Sequence, residues 1–188
     1  MHIHLSLKKI LDFNQGTQEG YWAYCVDEED ARMTATIRYA TEDDLAAIQV
    51  ISDAVYAVYV PLMGRQPAPM LADYAAHLSA AMVLVALDES ADLLGFAVVL
   101  DQQDGFWLEN IAVDPATQGQ GFGRQLIDAV EAWLRPRTDR YRLYTNVKMT
   151  ANIEWYRRAS FTETGRYQVN GFDRVYFEKD IPKAMDNS

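Results

Sequence analysis

The feature that most constrains this chain is a glycine-rich turn, Gln118–Arg124, which lies between a strand pattern and a helix pattern. Residues 106–113 predict the strand, and apolar side chains recur at helical spacing over residues 126–134. The first N–H groups of a helix have no partner within the helix, and glycines at positions 119, 121 and 123 would let a ligand approach them closely. The turn therefore predicts a site for a phosphate-bearing ligand. A tight strand-to-helix turn without a ligand is the structural alternative.

Two familiar phosphate-binding motifs are disfavoured by the letters of this turn. A dinucleotide-binding fingerprint has a glycine where this chain has Arg124, and it usually belongs to the first strand–helix unit of a sheet. A Walker-type loop ends in Gly-Lys-Ser or Gly-Lys-Thr, a sequence that the turn lacks. Neither motif explains the glycines.

The rest of the chain predicts strands and helices in succession. A strand over residues 33–39 precedes a helix that has Thr41 as its N-cap, runs to about Tyr59 and is ended by Pro61. The later elements are a helix over 70–79, strands over 83–87, 94–100 and 106–113, a helix that follows the glycine-rich turn and is stopped by Pro136, a strand over 141–147, a short helix over 151–159, and strands over 161–169 and 172–178. Asn170-Gly171 predicts a hairpin between the last two strands. The strands on either side of the helix that follows the turn are predicted to be parallel.

The net charge of the chain limits the kinds of molecule that it is expected to bind. The chain has 17 basic and 27 acidic residues in 188, a net charge of −10, which disfavours binding to nucleic acid or to an anionic membrane. Twelve of the 17 basic residues lie in residues 101–188, so an anionic ligand is expected in that part.

The cysteine and histidine content argues against a disulfide-rich or metal-binding protein. Cys25 is the single cysteine, so the chain has no internal disulfide framework and no cysteine-based zinc site. Its three histidines are too scattered to predict a metal site, and no metal is expected. No uninterrupted apolar run approaches the roughly 18 residues of a membrane span, so we expect a soluble, cytoplasmic protein without a membrane partner.

Three parts of the chain are predicted from composition. Residues 1–32 contain a loop-like stretch and an acidic run, and they form an N-terminal extension or arm. The core domain covers residues 33–182, and a short tail covers 183–188. The arm could pack on the domain, cover a partner subunit or stay free, and the sequence does not decide between these.

The glycine-rich turn matches the acyl-CoA loop, Gln/Arg-x-x-Gly-x-Gly/Ala, of the GNAT superfamily of N-acetyltransferases, with Gln118, Gly121 and Gly123 at its fixed positions. Four further segments resemble a bacterial branch of that superfamily: Gly64–Met70 (Gly-x-x-Pro-x-Pro-Met), Leu108–Val113 (Leu-Glu-Asn-x-Ala-Val), Leu143–Asn146 (Leu-Tyr-Thr-Asn) and Gly171–Val175 (Gly-Phe-x-Arg-Val). The resemblance covers most of residues 34–180. It implies an α/β (α+β) fold, with a mixed, mostly antiparallel sheet of about seven strands, a parallel strand–helix–strand unit at its centre and helices on both faces.

The resemblance also implies acetyl-CoA as the cofactor, with CoA as a product. Its pyrophosphate would sit on backbone N–H groups of Gln118, Gly119, Gln120, Gly121, Phe122, Gly123 and Arg124. Its pantetheine arm would pair like an added strand with Ile111, Ala112 and Val113. Asn152 is a further candidate for cofactor contact because it lies four residues before Tyr156 on one helix face, although it could instead cap the helix.

Two residues are candidates for the chemistry. Glu109 is a carboxylate inside an apolar strand, where period two places it on the face of Ile111 and Val113, and loss of solvation would raise its pKa toward that of a useful base acting through water. It could instead pair with an arginine or bind a cationic substrate. By the resemblance, Tyr156 is the candidate acid for the departing thiolate, or else a core tyrosine; Ser160 stands where the family usually has glycine.

The acceptor is expected over the first two helices and the final hairpin. Its candidate lining residues are Tyr56, Tyr59, Arg65, Tyr144, Asn146 and Arg174. The predicted function is direct acetyl transfer to a primary amine of a small molecule, an amino acid derivative or a protein. The alternative is a catalytically silent acyl-CoA-binding regulatory module. A homodimer is left open.

Overall fold

The computed structural model describes residues 21–22 and 34–182 of this chain. Apart from residues 21–22, the predicted arm (1–32) lies outside the described residues, and so does the predicted tail (183–188).

One mixed sheet forms the centre of the molecule. Its strands are β1 (Tyr21–Trp22), β2 (Thr36–Tyr39), β3 (Met82–Leu87), β4 (Leu93–Gln102), β5 (Gly105–Val113), β6 (Arg140–Asn146), β7 (Thr162–Val169) and β8 (Phe172–Asp180). They lie in the order β1-β2-β3-β4-β5-β6-β8-β7, and every neighbouring pair is antiparallel except β5 and β6. The seven strands β2–β8 confirm the predicted sheet and its central parallel pair, and the two-residue β1 extends the sheet beside β2.

The described residues form five α-helices: α1 (Leu45–Tyr56), α2 (Val60–Met63), α3 (Tyr74–Ala80), α4 (Phe122–Leu134) and α5 (Thr150–Arg158). The apolar face of α4, with Leu126, Ile127 and Val130, packs into one core cluster, and α5 contributes Ile153 to the same cluster. On the other side of the sheet, α1 and α3 pack into a second cluster that contains Ile48. Helices therefore cover both faces, as predicted, and the residues of β3 are buried throughout.

Two predicted helix boundaries are wrong. Pro61 does not end the first helical stretch, because proline is tolerated in the first turn of a helix and α2 continues to Met63. That stretch ends at Gly64, whose φ of 70° is the left-handed conformation that glycine adopts easily. The helix predicted over 70–79 begins later, at Tyr74, because a separate 3-10 turn covers 68–71 and Asp73 caps α3 by accepting the Ala76 N–H.

A buried ion pair anchors α4 to the sheet. Lys179 Nζ in β8 lies 2.5 Å from Glu131 Oε1 in α4, and both residues are 8% exposed. The hydroxyl of Tyr141 in β6 donates to the same carboxylate at 2.9 Å. These contacts attach α4 to β6, a member of the parallel pair, and to its neighbour β8.

The helical stretch Glu42–Met63 is long and apolar enough to meet the length and composition criteria for a membrane span. Such a match is weak evidence, because the core helices of soluble proteins also meet these criteria. In this chain Ile48 and Ile51 of the stretch pack against the sheet.

Candidate active site

A β-bulge interrupts β5 at Glu109. Leu108 pairs with Val99 and Asn110 pairs with Val98, so Glu109 is an extra residue without a partner in β4. On the other side of β5, the parallel pairing with β6 has one registered pair in the described sheet, Trp107 with Arg142. Beyond that pair the ladder between β5 and β6 has a gap, and the Glu109 carboxylate contacts the Tyr144 hydroxyl of β6.

The bulge also breaks the alternation of β5. Ile111 and Val113 pack against the core cluster beneath α4, whereas the Glu109 carboxylate accepts a hydrogen bond from the Tyr144 hydroxyl at 3.3 Å. Leu143, the neighbour of Tyr144 in β6, faces that cluster, so Tyr144 points to the other side. The prediction that Glu109 shares a face with Ile111 and Val113 is therefore wrong.

Glu109 lines a cavity of about 610 Å³, part of which is open to solvent. The wall on the helix side consists of Tyr56, Met63, Pro67, Ala68 and Pro69, and the other walls consist of Asn110, Tyr144, Thr145, Asn146, Met149, Asn152, Tyr156, Phe172 and Arg174. Burial raises the pKa of the Glu109 carboxyl above its usual value, and the Tyr144 hydrogen bond and the charges of His77 and Arg174 oppose that rise. The site thus holds a desolvated carboxylate that can take up a proton near neutral pH more readily than a surface glutamate can.

Tyr156 is the second predicted catalytic residue, and it lines the same cavity. It is 7% exposed, and its ring packs on Trp155, Phe161 and Phe177. Burial raises the pKa of its phenol far above the usual value, so the hydroxyl stays protonated and can donate. The structure therefore makes Tyr156 a core residue that also reaches the cavity.

Asn110 is a site residue that the sequence reasoning missed. Its Oδ1 accepts from the Tyr56 hydroxyl at 2.7 Å, and its Nδ2 donates to the Tyr74 hydroxyl at 2.8 Å. Tyr74 in turn donates to the Pro69 carbonyl at 2.9 Å and lies 3.0 Å from the Ser52 hydroxyl. This network fixes the helix-side wall relative to β5. The sequence did contain a signal for this role, because Asn110 follows Glu109 in an otherwise apolar strand and a buried amide needs several hydrogen-bond partners.

The glycine-rich turn presents a row of unpaired backbone donors. Within the described part of the chain, no hydrogen bond uses the N–H groups of residues 119–123. Gly119 and Gly121 have φ of 82° and 93°, a conformation that side chains rarely adopt, and a Cβ at Gly119 would meet nothing within 4 Å. These donors lie at the N-terminus of α4, where the helix dipole favours an anion. The arrangement fits a diphosphate.

Two side chains of the glycine-rich turn make contacts with the neighbouring elements β5 and α4. Gln118 Nε2 donates to the Val113 carbonyl at 3.1 Å, which joins the turn to the end of β5. Arg124 pairs with Asp128 at 2.8 Å, one turn along the exposed face of α4. The Arg124 guanidinium is thus engaged within its own helix in this structure.

Asn152 faces the acceptor cavity together with Tyr156. Its side chain accepts from the Tyr59 hydroxyl at 3.5 Å and donates to the Met149 sulfur at 3.8 Å, and it does not cap α5. The four-residue spacing thus placed the two side chains together, as predicted.

The predicted acceptor residues divide into two groups. Four of them line the cavity: Tyr56, Tyr144, Asn146 and Arg174. Tyr59 contacts the cavity residue Asn152 but is not part of the lining. Arg65 also lies outside the lining: it donates to the Gly171 carbonyl at 2.8 Å and stacks on the Phe172 ring at 3.4 Å.

Among residues 21–22 and 34–182, no group of three or more histidine, cysteine, aspartate or glutamate side chains is arranged so that it could hold a metal ion.

A family model described as "Acetyltransferase (GNAT) domain" matches residues 79–163, which contain β5, the glycine-rich turn, α4 and α5. This match supports a GNAT acetyltransferase domain over residues 79–163 of the chain. Its fold is similar to the ribosomal-protein-S18-alanine N-acetyltransferase from Escherichia coli, with a TM-score of 0.63, 23% identity, and 82% of this chain and 99% of that chain covered. It is also similar to a phosphinothricin acetyltransferase from Sinorhizobium meliloti solved with acetyl-CoA, with a TM-score of 0.63, 20% identity, and 83% and 93% covered. A comparison with curated protein sequences finds no match.

The match and the similar structures support an acetyltransferase fold for this chain. It leaves the roles of individual residues to the geometry, because both structures share less than a quarter of their residues with this chain.

Proposed function

We propose that this protein is an acetyl-CoA-dependent N-acetyltransferase that moves an acetyl group directly to the primary amine of an acceptor. The observation that carries the proposal is a row of backbone N–H groups in the glycine-rich turn, residues 119–123, that have no partner among the described residues. Gln118 joins this turn to the end of β5 through its hydrogen bond to the Val113 carbonyl. The same strand carries Glu109, which lines the cavity. A diphosphate on the turn would therefore lie at one end of the strand that holds the carboxylate.

The cofactor would be held mainly by main-chain groups. The N–H groups of residues 119–123 would bind the diphosphate, and the edge of β5 that faces the gap at residues 111–113 would pair with the amide-bearing arm. Acetyl-CoA, when bound, supplies an activated acetyl thioester. Two features of the described residues support this placement. The N–H groups of residues 119–123 have no partner there, and β5 and β6 are unpaired beyond Trp107 and Arg142.

Glu109 would accept the proton that the acceptor ammonium must lose before the amine can attack. Its raised pKa makes it a better proton acceptor than an exposed carboxylate, and the Tyr144 hydrogen bond favours its ionised form. Water in the open part of the cavity can carry the proton over the remaining distance.

Tyr156 would donate a proton or a hydrogen bond to the departing sulfur. Its buried phenol remains neutral over the whole working pH range because burial raises its pKa. Direct transfer is supported by the lining, since no cysteine or serine lies among the described residues that form the cavity. No residue there offers the usual thiol or serine nucleophile for a covalent relay.

Most of the rate acceleration would come from placing the two substrates in line, about 7–11 kcal/mol. The acid and the base would each add about 10²–10⁴-fold. The predicted cytoplasmic location and the homodimer stay predictions.

The test is release of free thiol from acetyl-CoA in the presence of a panel of primary amines, with CoA binding measured in parallel by calorimetry. We expect at least one amine to raise thiol release above the rate of spontaneous hydrolysis. CoA binding without thiol release over the whole panel would instead support the silent acyl-CoA-binding module.

A further inference from the structure

We propose that the acceptor is a free amino acid with an uncharged side chain, whose amine lies at Glu109 and whose carboxylate lies at Arg174. This inference rests on the proposed N-acetyltransferase function. It concerns the chemical class of the acceptor, which the GNAT fold itself does not determine.

The first argument is charge. Glu109 and Arg174 line the same cavity with opposite charges, and they do not pair with each other. In the described part of the chain, the Tyr144 hydroxyl is the one hydrogen-bond partner of the Glu109 carboxylate. The Arg174 guanidinium has no ion pair or hydrogen bond there, and it stacks on the Tyr144 ring at 3.9 Å. Two partly desolvated charges without counterions leave room for a ligand that brings both.

The second argument is spacing. Tyr144 touches both charged groups, the carboxylate through its hydroxyl and the guanidinium through its ring face. The two charges are therefore separated by about one aromatic side chain and are held apart by it. A molecule whose ammonium and carboxylate are joined by one carbon can reach both, with each of its charges in hydrogen-bond range of one protein group. Asn146, which is paired in register with Arg174, adds a neutral amide beside the carboxylate position.

The third argument is closure of the cavity. Arg65 reaches from the α2 side to the Gly171 carbonyl at 2.8 Å and to the Phe172 ring. Lys148 reaches back from the end of β6 to the Leu62 carbonyl at 2.6 Å. Both bridges join the helix-side wall to the opposite wall, so an extended polypeptide would have to break them to enter. A small molecule would not.

The fourth argument is the remaining lining. Beside the charged groups the walls are neutral: they contain uncharged polar side chains and the apolar side chains of Met63, Pro67, Pro69, Met149 and Phe172. An uncharged side chain of the acceptor would replace water there and gain burial. A second charged group on the acceptor would have no partner among these residues.

The transfer balances with these roles. The acceptor ammonium loses one proton to Glu109, directly or through water, and its nitrogen forms the new bond to the acetyl carbon. The thioester C–S bond breaks, and the sulfur leaves with a proton from Tyr156. The nitrogen loses its second proton as it becomes an amide, and that proton returns through water to Tyr156. The proton held by Glu109 is then released to solvent. The acceptor carboxylate keeps its charge throughout and stays on Arg174.

The experiment compares each standard L-amino acid with its carboxamide and its decarboxylated amine, and with a hexapeptide that begins with the same residue. Thiol release gives kcat and KM for each. We expect kcat/KM for the best free amino acid to exceed that of its carboxamide, its amine and its hexapeptide by at least about tenfold, the usual effect of one charge-assisted contact.

Two variants assign the effect to Arg174. Arg174→Gln is expected to raise KM for the free amino acid about 10- to 100-fold, with kcat changed little and the carboxamide unaffected. Arg174→Lys should recover part of the loss. The matched control is Arg142→Gln, which removes a cation from β6 that pairs with Glu178 at 3.0 Å and does not line the cavity; it should leave the preference for the free acid unchanged.

Calorimetry on the CoA-saturated protein makes the result independent of turnover. If no amine releases thiol, the proposed function fails, yet tighter binding of the amino acid than of its carboxamide would still support this inference. Equal binding or equal turnover of acid and carboxamide, a better rate with the hexapeptide, or an unchanged preference in Arg174→Gln would overturn it.

Discussion

Replacement of Glu109 by glutamine should lower activity and raise stability at the same time. Glutamine keeps the shape of the side chain and can still accept the Tyr144 hydrogen bond, but it cannot take up the proton of the acceptor. We expect kcat to fall by about 10²–10⁴-fold, which is about 3–5 kcal/mol of transition-state stabilisation. The acidic limb of the kcat/KM profile, which reports the ionisation of Glu109, should disappear.

The stability gain follows from the direction of the pKa shift. Burial raises the pKa of Glu109, so ionisation at neutral pH is less favourable in the folded chain than in the unfolded chain. Each unit of that rise costs about 1.4 kcal/mol of folding free energy above the folded pKa. The penalty shrinks as pH falls through the folded pKa, and it is gone below the unfolded value near 4.5. Glu109→Gln should therefore melt at a higher temperature than the parent at pH 7 and lose this advantage at pH 4.

The assays are thiol release between pH 5 and 9 and thermal denaturation at pH 4 and pH 7. The matched control is Glu163→Gln on β7, where Arg166 and Arg157 hold the pKa of the exposed carboxyl down at about 2. That variant should keep full activity and lose slightly in stability at neutral pH, the opposite sign. An acidic limb that survives in Glu109→Gln, or a melting advantage of equal size at both pH values, would refute the reasoning.

Three further variants test other parts of the structure. Tyr156→Phe keeps the ring packing and removes the buried hydroxyl, so thiol release should fall by about 10²-fold with little change in melting temperature; full turnover would remove Tyr156 from the mechanism. Asn110→Ala leaves the Tyr56 hydroxyl buried without its partner, and urea denaturation should show a loss of about 1–3 kcal/mol; an unchanged midpoint would contradict the network. Lys179→Met leaves Glu131 buried without a counterion and should lower the free energy of unfolding by about 3–5 kcal/mol. The double variant Lys179→Met/Glu131→Leu should recover most of that loss; no recovery would mean that the broken ion pair is not its cause.

The general architecture was predictable because it depends on local patterns. Apolar runs bounded by turn residues predicted every strand from β2 to β8, and Asn170-Gly171 predicted the final hairpin, where Asn170 has a φ of 52°. The glycine spacing predicted the turn at residues 118–124, since positive φ at Gly119 and Gly121 is a property of the local chain.

The orientation of the central carboxylate was not predictable from period two. An alternation rule assumes that each residue of β5 faces a partner in β4, and a bulge removes that assumption at one residue. Whether the extra residue is accommodated at Glu109 depends on the register of Val98 and Val99 in the neighbouring strand. No pattern within β5 alone contains this information.

Long-range contacts account for the other differences. Arg65 was predicted to line the acceptor site, but it bridges to Gly171, 106 residues further along the chain. Asn110 makes its contacts with Tyr56 and Tyr74, which come from α1 and α3. Single-sequence reasoning can predict that a buried amide needs partners, but not which distant hydroxyls will supply them.

The most direct test of the whole account is calorimetric titration of the protein with CoA and, separately, with pantetheine, which lacks the diphosphate. The same titrations with Gly121→Val, whose φ of 93° a branched side chain cannot easily adopt, examine the turn itself. We predict that CoA binds at least about 100-fold more tightly than pantetheine, and that Gly121→Val removes most of this difference. Equal affinity for CoA and pantetheine, or no heat with CoA at all, would contradict the claim that the N–H groups of this turn bind a diphosphate.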